Sequence, residues 1–519
     1  MVNGDSRKLE GCRGLEQRCG STLDFSTSAI NFEMIKATIQ TLPYEVLTSI
    51  FGPLDRPSLV SLCFVCRFCN EAAMPILYKA ASWDLSRQGV SWNTEDPLWP
   101  AFKRLPWLSS CVQSLAICID LKPPTRSHNG SNTAPDWGKR YNQVLSRVTE
   151  EVQGLPSIRS LELFKRRWDD MDAFRINTRW FGQLMQSLSA RIQDITLPEI
   201  PYNLTRSFQY LFHSRSLTVR GSVGSALRSP DFKLWAPRLK RVSLLFNSDL
   251  SELGGLFTAL RCLRVEKCED VEKLLEAIAA SRELESLEVT ITQPHFQSWL
   301  NARQKEIDLP ALKHIRVRID GAHTDQDIVH RGRKLFEYIT SASRALLSAS
   351  FDAKLFLRTC TTSEGFAIWL SHRHGRTLQT LYLGHLTLRE EYIHQVLSYC
   401  PRLERIGLAQ PWNQLDLFRP FASLRSTSSL KAICLTTTQP YSVHQVHAAL
   451  VQNFPCIGHL LLRNTSAFYD QYTLWKGKWR FDSDLGTALR VIENVECSKK
   501  DWEDLVSHEQ REFVDSLIL

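Results

Sequence analysis

No stretch of this 519-residue chain approaches the roughly 18 consecutive apolar residues that a membrane-spanning helix needs. Its opening, Met1-Val-Asn-Gly-Asp-Ser-Arg-Lys-Leu-Glu10, also lacks the apolar core of a secretory leader. Both absences point to the cytoplasm and/or the nucleus. Glycine-rich phosphate loops, nucleophile elbows and kinase signatures do not occur. His372-Arg-His374 and His444-Gln-Val-His447 have no helix-borne glutamate beside them in a protease arrangement. These absences leave no catalytic residue, metal set or cofactor site to assign, and the chain is expected not to be an enzyme.

The fourteen cysteines form no spaced framework of the kind that staples small secreted domains, which fits reduced, buried thiols. Cys63-Phe-Val-Cys66-Arg-Phe-Cys69 has metal-like spacing, yet no second ligand pair follows at zinc-finger distance, so these thiols are expected to pack as small hydrophobes. The net charge of +8 leaves room for an acidic partner. Its basic residues are spread among 55 acids rather than gathered in a run with aromatics, which argues against nucleic acid. Lys165-Arg-Arg167 and Arg331-Gly-Arg-Lys334 read as solvated surface.

What is present begins at residues 41–79. Pro43 suits the first turn of a helix and Glu45 favours its dipole, after which Val46, Leu47, Ile50 and Phe51 fall at helical spacing. Gly52-Pro53 ends that helix, and Asp55-Arg56-Pro57 caps a second one carrying Leu59, Val60, Leu62 and Cys63. Val65, Phe68 and Ala72 make a third stripe. A segment of about 40 residues cannot bury so many apolar groups by itself, so part of this surface is expected to meet another chain.

The order Leu42-Pro43-Tyr-Glu45-Val46-Leu47 with Ile50, Phe51 and Leu54, then Leu59, Leu62 and Val65-Cys66-Arg67-Phe68, resembles an F-box. The trailing Pro75-Ile-Leu77-Tyr78 is similar to an extension seen in fungal members. That resemblance implies a Skp-family adaptor as partner, linked to a cullin ligase core. Leu42, Pro43, Ile50, Leu54, Leu59, Leu62 and Val65 are the residues it implies for forming or supporting the adaptor-binding face.

Downstream the chain repeats itself. The pattern Leu-x-x-Leu-x-Leu, with Ile or Val allowed, recurs from Ile158-Arg-Ser-Leu-Glu-Leu163 through Leu284-Glu-Ser-Leu-Glu-Val289 to Ile457-Gly-His-Leu-Leu-Leu462. Starts at 260, 284 and 312, and at 378, 403, 430 and 457, lie 24 to 28 residues apart, within the period of leucine-rich repeats. Two longer intervals contain only degenerate matches, Ser214–Val219 and Leu346–Phe351. Between strands the spacing turns helical, as in Glu390–Tyr399, and the following Leu397-Ser-Tyr-Cys400-Pro-Arg-Leu403 resembles the repeats that accompany F-boxes.

The expected fold is therefore α/β, an N-terminal three-helix F-box followed by a curved leucine-rich-repeat solenoid. Its expected parts are a flexible leader at 1–35, the F-box at 36–80, a tryptophan-rich joint at 81–157, repeats over 158–490 and a C-terminal cap at 491–519, with Lys499–Val506 in the cap. Residues alternating with the pattern leucines face away from the core. On that face Arg264, Arg316 and Arg318, with Tyr382 further along, are candidates for holding an acidic or phosphorylated protein target, against the plainer alternative of a solvated face relieved by Glu266 and Glu288. The expected function is substrate recognition for an SCF-type cullin ubiquitin ligase. The alternatives are an adaptor-bound regulatory protein without a ubiquitination role and, more remotely, a hydrolase on an α/β core.

Overall fold

The computed structural model describes residues 41–84, 105–118, 134–164, 178–200, 202–221, 223–245, 255–268, 270–292, 307–320, 326–353, 364–384, 388–409, 430–437, 459–465, 470–482 and 487–497. It divides into one unit up to Ala80 and another from Ala81 onward. The leader, Lys165–Arg167, His444–His447 and Lys499–Val506 lie outside the described residues.

The first unit is helical. Helix α1 (Tyr44–Phe51) follows Pro43, and the N–H of Gly52 closes its last turn on the Thr48 carbonyl at 2.9 Å. Helix α2 (Arg56–Cys63) starts where the Asp55 carboxylate accepts from the Ser58 N–H at 3.0 Å, satisfying a donor that a helix start leaves orphaned. Helix α3 (Arg67–Tyr78) starts with the Cys66 thiol accepting from the Cys69 N–H. Leu47, Phe51, Leu59, Cys69, Ala72 and Ala73 make the buried centre, with Leu42, Leu62, Phe68, Ile76 and Leu77 packed around it.

The second unit holds a 16-stranded sheet whose strands stand side by side in chain order. They are β1 (Ala80–Asp84), β2 (Ser114–Cys118), β3 (Ser160–Phe164), β4 (Asp194–Leu197), β5 (Ser216–Val219), β6 (Arg241–Leu244), β7 (Cys262–Cys268) and β8 (Ser286–Thr292). There follow β9 (His314–Asp320), β10 (Ser348–Ala353), β11 (Thr380–Leu383), β12 (Arg405–Ala409), β13 (Ala432–Thr437), β14 (His459–Thr465), β15 (Asp470–Asp482) and β16 (Thr487–Cys497). From β2 to β14 every neighbouring pair is parallel. The two degenerate pattern matches become β5 and β10, which fill the longer intervals. β1 and β2 lie in the segment expected to be a joint.

Parallel neighbours need a crossover, and α-helices lie in several of them: α4 (Ala134–Gln153), α5 (Thr178–Leu188), α6 (Pro230–Trp235), α7 (Val271–Ala279), α8 (Gln326–Ser341), α9 (Glu364–His374) and α10 (Glu390–Tyr399). The register lines the pattern leucines into rows. One runs Leu217, Val242, Leu263, Leu287, Ile315, Ala349, Leu381, Ile406, Ile433, each at most 2% exposed. The next row includes Val289, Val317, Phe351, Leu383 and Leu408, also buried. Each Leu side chain fully buried this way contributes about 1.5–3 kcal/mol, and no strand can obtain that without its neighbours.

Polar ties join successive crossovers. Ser214 Oγ donates to the Ile192 carbonyl at 3.1 Å, Ser281 Oγ to Phe257 at 3.0 Å, Ser343 Oγ to Leu312 at 2.8 Å and Thr377 Oγ1 to Leu346 at 2.7 Å. These hydroxyls satisfy carbonyls in the turn before each strand, where burial would otherwise be unfavourable. The parallel run ends in an antiparallel pair, β15 against β14 and β16 against β15. Those last strands carry no Leu-x-x-Leu-x-Leu pattern, which is why periodicity does not find them.

Candidate functional site

Two surfaces can be built from the residues upward. On the helical unit, α1 is only two turns long, and Leu47 and Phe51 on one side turn inward. The same spacing sends Val46 and Ile50 outward, and Ile50 is 51% exposed. Leu54 lies in the turn before α2 and Val60 on α2 itself, both exposed. Phe64, which caps the end of α2, is 84% exposed, and Val65 beside it is exposed as well. Exposed apolar groups this dense on so small a unit make a surface suited to meeting another chain.

Of the residues expected here, Pro43, Ile50, Leu54 and Val65 are at the surface, and Leu42 and Leu62 are half-buried against the centre. Leu59, at 5% exposure, belongs to the core and stands behind the surface rather than on it. Val65 also departs from the expected third stripe. It sits before α3 starts, so only Phe68 and Ala72 of that trio pack inward. Tyr44, Val46 and Phe64 were missed as surface candidates, although the i, i+4 relation of Val46 to Ile50 was legible.

Two cysteines of this unit, Cys63 and Cys69, are thiols held protonated. Burial pushes Cys63 up, and burial followed by the hydrogen bond with Cys66 pushes Cys69 up to about 11. Hydrogen bonds from Ser58, side chain first and then backbone, hold the Asp55 carboxyl below its ordinary value and keep the α2 cap charged.

The second surface is the outward row of the sheet, where Arg264, Glu288, Arg316, Ser350, Tyr382 and Gly407 lie in register on β7 to β12. Of the two readings of this face, the structure shows the plainer one, in which Glu266 and Glu288 relieve the arginines. Glu288 stands between two arginines, 3.5 Å from Arg264 Nε and 3.3 Å from Arg316 Nη1, and Glu266 takes a second contact from Arg264 at 2.6 Å. The row is a ladder of alternating charge that compensates itself. Arg316 is 6% exposed, and Tyr382 is 3% exposed. Arg318 is half-buried, with Asp352 and Thr290 as its register partners. A Cβ added at Gly407 or Gly384 would run into the Tyr382 ring, so these two glycines make the space the ring occupies. His459 and Arg463 are placed by strand register on β14.

Two histidines of this unit are buried in the neutral form. Burial first, then Lys313, lowers His314 to about 4, and burial lowers His374 to about 4 while its Nε2 donates to the Thr340 carbonyl at 3.1 Å. Both act as packing groups, and no cluster of potential metal ligands occurs among the described residues.

A family profile described as F-box-like matches residues 39–81, which covers the helical unit. No curated protein matches the chain. Among solved structures, the crystal structure of the Rad7 and Elc1 complex in yeast is similar at 14% identity over 75% of this chain and 94% of that chain, with a TM-score of 0.34, a likeness too low to assign a role.

Proposed function

We propose that this chain is the substrate-recognition subunit of an SCF-type cullin ubiquitin ligase, working in the cytoplasm or nucleus. The F-box-like unit docks a Skp-family adaptor, and the sheet unit, which we take to be a leucine-rich-repeat array, holds a protein target. One observation carries this proposal: an F-box-like segment whose two-turn α1, α2 and adjoining turns leave Val46, Ile50, Leu54, Val60, Phe64 and Val65 exposed. Strands in strict chain order, each bound only to its sequence neighbours, support the repeat array. The ligase then acts by proximity, raising the effective concentration of target lysines near activated ubiquitin carried by a separate enzyme.

The test is affinity purification of the tagged full chain from cells with the proteasome blocked. Adaptor and cullin should co-purify with the wild type, and both should be lost from an Ile50→Asp, Leu54→Asp variant. Adaptor without cullin would overturn the ligase role and leave a regulatory adaptor-bound protein. Full retention of adaptor by the variant would overturn the docking surface.

A further inference from the structure

The outward arginines are engaged, but a different set of cations on the same unit is not. Immediately before each strand the backbone forms a continuous rung. The N–H of Gln193 donates to the Arg159 carbonyl at 2.7 Å, Arg215 to Gln193 at 2.8 Å, Lys240 to Arg215 at 2.8 Å and Arg261 to Lys240 at 2.8 Å. These bonds set Arg159, Arg215 and Lys240 in one line along the entry edge of β3 to β6. With strands about 4.8 Å apart, that line is roughly 14 Å long. Arg159 and Arg215 are exposed and Lys240 is half-buried. None of the three has a carboxylate partner among the described residues. The line turns acidic only at Glu285, where Arg261 and Lys313 already flank the carboxylate at 3.7 and 2.8 Å.

Apolar surface accompanies the charge. Phe212, in the turn leading into β5, is 57% exposed, and the Arg238 guanidinium lies over its ring at 4.9 Å. Leu234, on α6 just before β6, is 76% exposed. These are two of only five large apolar residues exposed on this unit among the described residues, and they lie in the segments that lead into β5 and β6.

We infer that the strand-entry edge of β3 to β6 is a docking surface for an acidic polypeptide segment that carries interspersed apolar side chains. The inference rests on the proposal that this unit captures a protein target, and it names the chemistry of that target and moves its seat from the outward row to the edge. Uncompensated cations in a line attract carboxylates over a Debye length, and Phe212 and Leu234 give an extended chain its apolar anchors. A protein is favoured over a nucleic acid because the exposed apolar groups in the segments leading into these strands include an aliphatic side chain, which offers a base nothing to stack on.

The experiment titrates the full chain with a fluorescein-labelled peptide of repeated Glu-Glu-Leu triplets, beside labelled single-stranded DNA and phosphatidylserine vesicles. The wild type should bind the peptide more tightly than either alternative, and binding should weaken as salt rises. Arg159→Glu, Arg215→Glu, Lys240→Glu together should raise Kd by about tenfold or more, and the milder Gln triple by about threefold. Phe212→Ala should raise it by about threefold. Reversal of Arg179, Arg206 and Arg389, exposed elsewhere on the unit, should change it by less than about twofold. No binding of the peptide at low salt, equal binding by the wild type and both edge triples with unchanged circular dichroism, or preference for DNA or vesicles would each overturn the inference. Adaptor pull-down on the same preparations separates the two claims: edge variants keep the adaptor, whereas the Ile50→Asp, Leu54→Asp variant loses it and keeps the peptide.

Discussion

The two units solve the burial problem in opposite ways. Among the described residues, the F-box-like unit hides six at its centre and exposes seven large apolar side chains, so it presents more apolar surface than it can use alone. The sheet unit stacks strand on strand until its leucine rows are nearly dry, and exposes large apolar residues at few described positions. On the proposed reading the small bundle takes its partner from outside, whereas each strand of the sheet finds its partner in the next strand.

The largest expected effects break that comparison directly. Leu287→Ala, in a fully buried sheet row, should destabilise the chain by about 2–5 kcal/mol, read as a fall in Tm of the sheet transition. Leu47→Ala should destabilise the helical unit by a similar amount. Adding a Skp-family adaptor should restore the Leu47→Ala transition and leave the Leu287→Ala transition where it was, because a ligand stabilises only the unit it binds.

Gly407→Ala comes next, at about 1–3 kcal/mol, because its new Cβ would meet the Tyr382 ring. Combining it with Tyr382→Ser should recover part of the loss, measured as a double-mutant cycle by urea unfolding.

A smaller, pH-dependent effect separates the units. His314 and His374 have folded values near 4 against an ordinary 6.5, so the unfolded chain binds more protons between those limits. Their contribution to stability is complete above pH 6.5 and is lost as pH falls toward 4. Denaturant midpoints should fall over that window for the sheet unit, and less steeply in a His314→Gln variant. The smallest effect is Arg67→Ala on α3, where the exposed pair with Glu71 at 2.8 Å should be worth less than about 1 kcal/mol.

Sequence periodicity carried much of this fold because it reports burial. Pattern positions such as Leu263, Leu287 and Leu381 are buried, and the Asp55 cap and the Gly52 stop fall where local chemistry requires them. What periodicity does not report is which outward residues stay accessible. Arg316 and Tyr382 have the same alternation as solvated strand residues, but Glu288 across the register and the missing side chains of Gly384 and Gly407 decide their surroundings. Glu288 and Gly407 are about 25 to 30 residues away in sequence from the side chains they meet. The edge line of Arg159, Arg215 and Lys240 is hidden for the same reason, since only strand register sets the three side by side. In the helical unit the sequence left open whether Leu59 forms the docking surface or supports it, because an eight-residue helix offers too few positions to tell a core stripe from a docking stripe.

The central claim, that the exposed apolar face of the F-box-like unit docks an adaptor, is tested most directly by calorimetric titration of the purified full chain with a Skp-family adaptor at several temperatures. The account predicts saturable one-to-one binding with a negative heat-capacity change, as apolar burial requires, and its loss by about a hundredfold or more in the Ile50→Asp, Leu54→Asp variant with both unfolding transitions unchanged. Wild-type chain that binds no adaptor, or a variant that binds it equally well, would contradict the account.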